Sequence, residues 1–184
     1  MNKLKRRASH EHAGKDRFKH GFILRSSYSY AGTPMKNIYI GIDPDKGWAE
    51  WDADVQKFIA IDTVNFWEIN ERLQKIAALP ETDVAVRIYI ETPQHNAPVF
   101  LTPDRPNAMK EFVRVAQNVG ENKAKAKLLV ERCHELFGKV NVIEMTPNKK
   151  SATKWKSERF KFQTGWKHRT IEHGRDAAML VFGR

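Results

Sequence analysis

Four side chains of this sequence, three carboxylic acids and one imidazole, have types and positions that suit metal-dependent chemistry. Asp43 and Glu91 each follow directly on an apolar run, and His173 and Asp176 stand three residues apart near the C-terminus. Clustered carboxylates repel one another unless a cation neutralises them, and their hard oxygen atoms suit Mg²⁺ or Mn²⁺. A pair of such ions can activate water and stabilise the leaving oxygen of a phosphodiester. We therefore treat these four residues as candidate metal ligands.

The predicted secondary structure explains how residues so distant in the chain can meet at one point. Apolar runs, helical periodicity and turn residues predict five strands and three helices. In chain order these are strands at residues 37–43, 47–52 and 57–62, a helix at 65–78, a strand at 84–90, a helix at 107–137, a strand at 140–145 and a helix at 170–182. An antiparallel meander followed by alternating helices and strands predicts the α/β class, with a mixed five-stranded sheet flanked by helices.

Asp43 and Glu91 occupy the same relative place in this scheme, the carboxyl end of a central strand. Sites in open α/β sheets form outside these ends. His173 and Asp176 share one face of the last helix, so all four residues can approach one point. Each residue alone also has a structural interpretation, as a turn acid before Pro44, a strand-end charge or part of a solvated helix face. The combination, in this order and on these elements, favours a metal site.

Charge divides the chain into two basic ends and an acidic middle. Residues 1–36 carry nine Lys and Arg against two Asp and Glu, residues 148–184 carry ten against three, and the residues between carry thirteen against seventeen. Residues 1–35 show no sustained period, so we expect a flexible basic extension before one folded domain at 36–184. Clustered positive charge favours a polyanion, most commonly nucleic acid. A solubilising tail is an equal interpretation of the N-terminal cluster.

The C-terminal basic cluster is interleaved with aromatic residues, which favours nucleic-acid binding over a merely solvated surface. An ordinary core is the alternative interpretation of the aromatic members. The lysines are Lys149, Lys150, Lys154 and Lys156, and the aromatics are Trp155, Phe160, Phe162 and Trp166.

Composition limits the compartment in which the protein is expected to work. The single cysteine, Cys133, excludes an intramolecular disulfide and a cysteine-rich zinc site, which fits a reducing environment. No apolar run approaches the roughly 20 residues that span a bilayer, and the N-terminus lacks the apolar block of a signal peptide. We therefore expect a cytoplasmic protein with no membrane partner.

The ordered motifs resemble the RuvC-type Holliday junction resolvases of the ribonuclease H-like superfamily. GIDP at 41–44 is followed by Gly47, an apolar strand runs into Glu91, and HxxD stands at 173–176. The resemblance covers about residues 37–184 and implies a ribonuclease H-like fold. It also implies a Mg²⁺-dependent endodeoxyribonuclease that resolves four-way junctions as a homodimer, with branched DNA as its partner.

The resemblance further implies roles for individual residues. In the family, the matching side chains bind two Mg²⁺ ions, for which Mn²⁺ can substitute; here they are Asp43, Glu91, His173 and Asp176. Many members have Asp where His173 stands, and the family usually has Gly where Asp45 stands. The segment 116–127 looks like the family's glycine-containing helix, which contributes to dimerisation and DNA contact, and 146–154 looks like the basic segment that contacts the junction backbone. Candidate DNA contacts are Asn118, Lys123, Lys149, Lys150, Lys154 and Lys156.

Three other functions remain to be weighed against junction resolution. A nuclease of the same fold acting on other branched DNA or on RNA–DNA hybrids is the main rival. A catalytically silent DNA-binding module needs only the basic ends, although the intact acidic set argues against it. An actin-like ATP-binding protein needs a second, similar lobe, for which 184 residues leave no room.

Apolar positions in the helix at 107–137 serve either a dimer interface or the subunit core: Phe112, Ala116, Val119, Leu129, Cys133 and Leu136.

Overall fold

The computed structural model describes residues 35–80, 83–93, 108–147 and 155–184, which form five strands and four α-helices. Residues 1–34, which include most of the expected basic extension, lie outside the described part. In chain order the elements are β1 (Lys36–Asp43), β2 (Gly47–Asp52), β3 (Lys57–Thr63), α1 (Phe66–Ala77), β4 (Val84–Glu91), α2 (Ala108–Phe137), β5 (Val142–Met145), α3 (Ser157–Thr164) and α4 (Glu172–Val181).

The strands form one mixed sheet in the order β3-β2-β1-β4-β5, with β1 at its centre. Strand β1 pairs antiparallel with β2 and parallel with β4, and β4 pairs parallel with β5. The predicted α/β class and mixed five-stranded sheet are therefore confirmed. Because Ile42 pairs with Ile90, the residues that follow them, Asp43 and Glu91, lie at the same edge of the sheet.

Helices cover the sheet on both faces, and the two faces are packed differently. One face carries α1 and α2 on a core made mainly of aliphatic side chains, including Ile40, Ile42, Ile69, Leu73, Leu129 and Cys133. The other face carries α3 and α4 on a core of alanines and aromatic rings, including Ala49, Trp51, Phe160, Ala177 and Ala178. Alternation of side chains along each strand explains how one strand serves both cores.

Helix α4 lies unusually close to the sheet because two glycines face it. A methyl group added at Gly41 would overlap the backbone carbonyl of Ala177, and one added at Gly47 would overlap that of His173. Only hydrogen fits at these two positions, so the backbone of α4 rests directly on β1 and on the start of β2. This close packing determines where the side chains of the first turn of α4 can reach.

The predicted elements agree with the structure except between α2 and α4. The strand predicted at 140–145 begins only at Val142, because Lys139–Asn141 form a 3₁₀ turn. Gly138, whose φ is 75°, separates this turn from the end of α2. Helix α3 was not predicted, since Phe160 is its only buried residue and gives no apolar period.

Leu129 and Cys133, two of the residues predicted to serve either a dimer interface or the subunit core, belong to the subunit core.

None of the helices in the described ranges combines the length and apolar composition needed to cross a membrane.

Candidate active site

The carboxyl edge of the central strands forms a pocket of about 200 Å³. Asp43 and Glu91, the last residues of β1 and β4, both line it, as predicted for acids at neighbouring strand ends. Asp45, from the turn after β1, is a third carboxylate in the same lining. Among the residues that the structure describes, the lining also includes Pro44, Pro93, Val119, Asn122 and Pro147.

Asp43 is held in place by contacts to both of its oxygens. It is only 9 % exposed. Its Oδ1 accepts the backbone N–H of Asp45 at 3.1 Å, which closes the tight turn after β1. Its Oδ2 lies 2.9 Å from Nδ1 of His173. An ionised carboxylate offers about four lone-pair sites, so these two contacts leave room for a cation.

His173 stands in the first turn of α4, where the close packing at Gly47 brings it to the strand end. Its Nδ1 faces Asp43, and its Nε2 lies 3.6 Å from Oδ2 of Asp45. In the neutral tautomer with hydrogen on Nδ1, the ring donates to Asp43 and keeps a lone pair on Nε2. A histidine that binds a metal usually donates its other nitrogen to a carboxylate in this way. The imidazole therefore sits between two acids in an orientation that suits metal binding.

Asp45 and Lys125 belong to the site, although neither was predicted from the sequence. Nζ of Lys125 lies 3.4 Å from Oδ1 of Asp45, so a lysine of α2 offsets part of the acidic charge. The repeated acid in DPDK was a usable signal for Asp45. Nothing in the sequence marks Lys125 beyond its place in the segment 116–127, because only the packing of α2 brings it to the turn after β1.

The other predicted site residues lie on α2, on α4, at the start of α3 or outside the described residues. Asp176 is partly buried on α4, one turn after His173, and neither residue is among those that line the pocket. Asn118 is exposed and Lys123 partly exposed on α2, and Lys156 is exposed at the N-cap of α3. Lys149, Lys150 and Lys154 lie outside the described residues.

The donor set fits a hard divalent cation by its chemistry, since carboxylate oxygens and one imidazole nitrogen are suitable ligands. Among the described residues, however, no three His, Cys, Asp or Glu side chains are already arranged to hold a metal ion. Nδ1 of His173 and Oδ2 of Asp43 are already used in a hydrogen bond to each other. Binding of an ion would therefore require side-chain adjustment within the pocket.

Comparison with known proteins gives no family for this chain. No protein-family model, no curated protein and no solved structure matches it. The resemblance to the RuvC-type resolvases therefore rests on the sequence motifs alone. The structure shows that Asp43 and Glu91 line one pocket and that His173 contacts Asp43.

Proposed function

We propose that this protein is a divalent-metal-dependent endonuclease of the RuvC type, with a ribonuclease H-like fold, that resolves four-way DNA junctions. One observation carries the proposal: Asp43 and Glu91 line a single pocket at the strand ends, and His173 contacts Asp43 there. Converging acids with one imidazole are the groups that metal-assisted phosphodiester hydrolysis needs. The basic C-terminal region supports a polyanionic substrate.

The residues of the site have distinct proposed tasks. Asp43, Glu91 and Asp176 would hold two Mg²⁺ or Mn²⁺ ions together with His173, and the ions would supply water activation and charge neutralisation at the leaving oxygen. His173 fixes the orientation of Asp43 through the contact at its Nδ1. Lys125 holds Asp45 at the rim of the pocket and lowers the local negative charge, which lets a phosphate approach.

A homodimer completes the proposal, since a four-way junction has two-fold symmetry and two strands must be cut. Helix α2 has 30 residues, but only its second half packs in the subunit core, starting at Ala126. Every residue from Met109 to Lys125 is at least partly exposed. Three of them are large, apolar and exposed: Met109, Val113 and Val115. This first half of α2 replaces the buried positions Leu129 and Cys133 as the candidate interface.

Sedimentation velocity tests the dimer at micromolar concentration, with and without junction DNA. We expect a dimer in at least the DNA-bound state, and Val113→Glu should weaken it, because the charge would be buried at the interface. Leu128→Glu is the matched control, since Leu128 is also exposed on α2 but follows the start of the core-packed half. A monomer in both conditions would contradict paired cleavage.

Cleavage of synthetic four-way, forked and RNA–DNA hybrid substrates in the presence of Mg²⁺ tests the function. We expect paired nicks in the four-way junction and slower cleavage of the other two substrates. Preference for the forked or hybrid substrate would replace junction resolution by the rival nuclease function. Binding of all substrates without cleavage of any would favour the silent DNA-binding module.

A further inference from the structure

The segment from Trp155 to Arg169 is basic and carries helix α3 at its centre. Five Lys and Arg in this segment stand against one acid, Glu158. Four of the five cations are exposed, and Lys161 is partly exposed. The basic residues are Lys156, Arg159, Lys161, Lys167 and Arg169. A surface with this charge is complementary to a polyanion.

Two phenylalanines of α3 have opposite environments. Phe160 is fully buried, and its ring centre lies 6.2 Å from that of Phe58 in the core. Phe162 is 84 % exposed. The sequence left open whether these aromatics bind or pack, and the structure answers differently for each. Phe160 anchors α3 to the sheet, whereas Phe162 presents its ring to solvent.

A single exposed phenylalanine is ordinary, so the neighbouring groups matter. Arg159 and Phe162 stand three residues apart on α3 and therefore share one face. The guanidinium carbon of Arg159 lies 4.9 Å from the ring centre of Trp155, which supports the guanidinium from beneath. The outer face of α3 thus offers a ring and a supported guanidinium plane side by side.

One side chain of helix α4 contacts both the start of this segment and the residue that follows its end. Nε of Arg175 donates to the backbone oxygen of Trp155 at 3.1 Å, and Nη1 donates to that of Thr170 at 2.9 Å. Arg175 stands between His173 and Asp176 on α4. The surface formed by Arg159 and Phe162 is therefore held in a fixed place relative to the helix that carries two of the candidate ligands. Preorganisation of this kind lowers the entropic cost of binding.

We infer that Arg159 and Phe162 form a stacking platform for unpaired bases of a nucleic-acid strand, whose phosphates contact the surrounding lysines and arginines. Bases stack on aromatic rings and on guanidinium planes, and such contacts tolerate any sequence. The inference deepens the proposed function and rests on it for its context, since the proposed substrate is a nucleic acid. The platform is a binding site, and it can be tested without any cleavage.

Affinity for single strands in the presence of EDTA tests the platform without involving catalysis. The probes are an oligothymidylate of about 15 nucleotides, which matches the usual site size, and an abasic strand of equal length. We expect Phe162→Ala to weaken binding of the oligothymidylate about fivefold and to leave abasic binding unchanged, because only a base can stack. Phe162→Trp should restore the wild-type affinity.

Two control variants separate stacking from general effects. Trp67→Ala removes an aromatic ring that is 75 % exposed on α1, on the opposite face of the sheet. It should leave the affinities for the oligothymidylate and for the abasic strand unchanged. Arg159→Ala should weaken binding of both probes and reduce the salt dependence, because a charge is lost, and it should weaken the oligothymidylate more, because a stacking plane is lost as well. Lys75→Ala on α1 should do neither.

The outcomes distinguish this inference from the proposed function. Equal affinity of Phe162→Ala and wild type for oligothymidylate, or an equal loss for both probes, overturns the platform even if junctions are cleaved. A Phe162-dependent preference for the strand with bases supports the platform even if no substrate is cleaved.

Discussion

Two buried aspartates, Asp43 and Asp52, lie at opposite ends of the β1–β2 pair and share the same local structure. They are 9 % and 6 % exposed. Each begins an Asp-x-Asp sequence, and each accepts the backbone N–H of the residue two positions later at 3.1 Å, from Asp45 and from Asp54. Sequence and turn geometry alone do not separate the two.

The second oxygen of each carboxylate makes the difference. Oδ2 of Asp52 pairs with Nζ of Lys36 at 3.0 Å, while Oδ1 also accepts the N–H of Val55. Its charge is neutralised, and its role is to close a turn. Oδ2 of Asp43 faces His173, in a pocket that it shares with Asp45 and Glu91. An acid surrounded by other acids stabilises a fold poorly but suits a cation, so the partners of a turn aspartate distinguish a structural acid from a candidate catalytic one.

The largest expected contrast is in cleavage. Asp43→Asn should lower the rate of junction cleavage at least about 100-fold, because it removes the charge of a proposed metal ligand while keeping the size of the side chain. Asp52→Asn should cleave at the wild-type rate, since its contacts lie at the other end of the strand pair. Single-turnover assays with Mg²⁺ measure both variants, and junction binding in EDTA verifies that each still folds. Wild-type turnover by Asp43→Asn would contradict the assignment.

The second contrast concerns the glycine that brings α4 to Asp43. Gly47→Ala should lower the free energy of unfolding by about 2–3 kcal/mol, because its methyl group would overlap the carbonyl of His173 and approach Cβ of Asp43 to 2.8 Å. Gly120→Ala, inside α2, should instead stabilise by about 0.5–1 kcal/mol, since a methyl group there meets no atom within 4 Å. Urea unfolding compares them. Equal stability of the two variants would show that α4 adapts freely.

The third prediction concerns the pH dependence of the stability that the carboxylate of Asp52 contributes. Burial alone raises the pKa of Asp52, but the hydrogen bonds from Lys36 and from the N–H groups of Val55 and Asp54 outweigh it, so the pKa lies below its ordinary value of 3.8. Because the folded-state pKa is the lower one, the ionised carboxylate stabilises the fold above about pH 4, and this contribution is lost as the pH falls through the folded-state pKa.

Asp52→Asn should therefore cost about 1 kcal/mol at pH 7, with the difference from wild type shrinking below pH 4. Urea unfolding at pH 7, 5 and 3 gives the profile, with Glu71→Gln on the exposed surface of α1 as the control. A difference that stays constant down to pH 3 would show that the charge of Asp52 contributes nothing.

The smallest expected effect concerns the thiol of Cys133, which is buried like the two aspartates but is kept neutral by desolvation. Desolvation raises the pKa of the Cys133 thiol to about 12, with Arg132 opposing only weakly. The thiolate is the reactive form, so Cys133 should resist iodoacetamide in the native protein at pH 8 and react at once in urea. Rapid native labelling, followed by mass spectrometry, would indicate that the packing of α2 opens.

The sequence predicted the strands and the helices with a clear apolar period, because burial on one face leaves a periodic pattern. It also placed Asp43 and Glu91 at one edge, which follows from parallel strands. It did not reveal α3, whose only buried residue is Phe160, nor the contacts of Asp45 with His173 and Lys125. Those contacts depend on how closely α4 and α2 pack, and packing distance leaves no periodic signal.

Titration of Mn²⁺ into the protein by calorimetry asks whether the acids at the strand ends hold a cation. We expect wild type and Asp52→Asn to bind Mn²⁺ with the same affinity and stoichiometry, and we expect Asp43→Asn to lose the binding. Absence of binding by the wild-type protein, or equal binding by Asp43→Asn, would contradict a metal centre at Asp43 and with it the proposed nuclease.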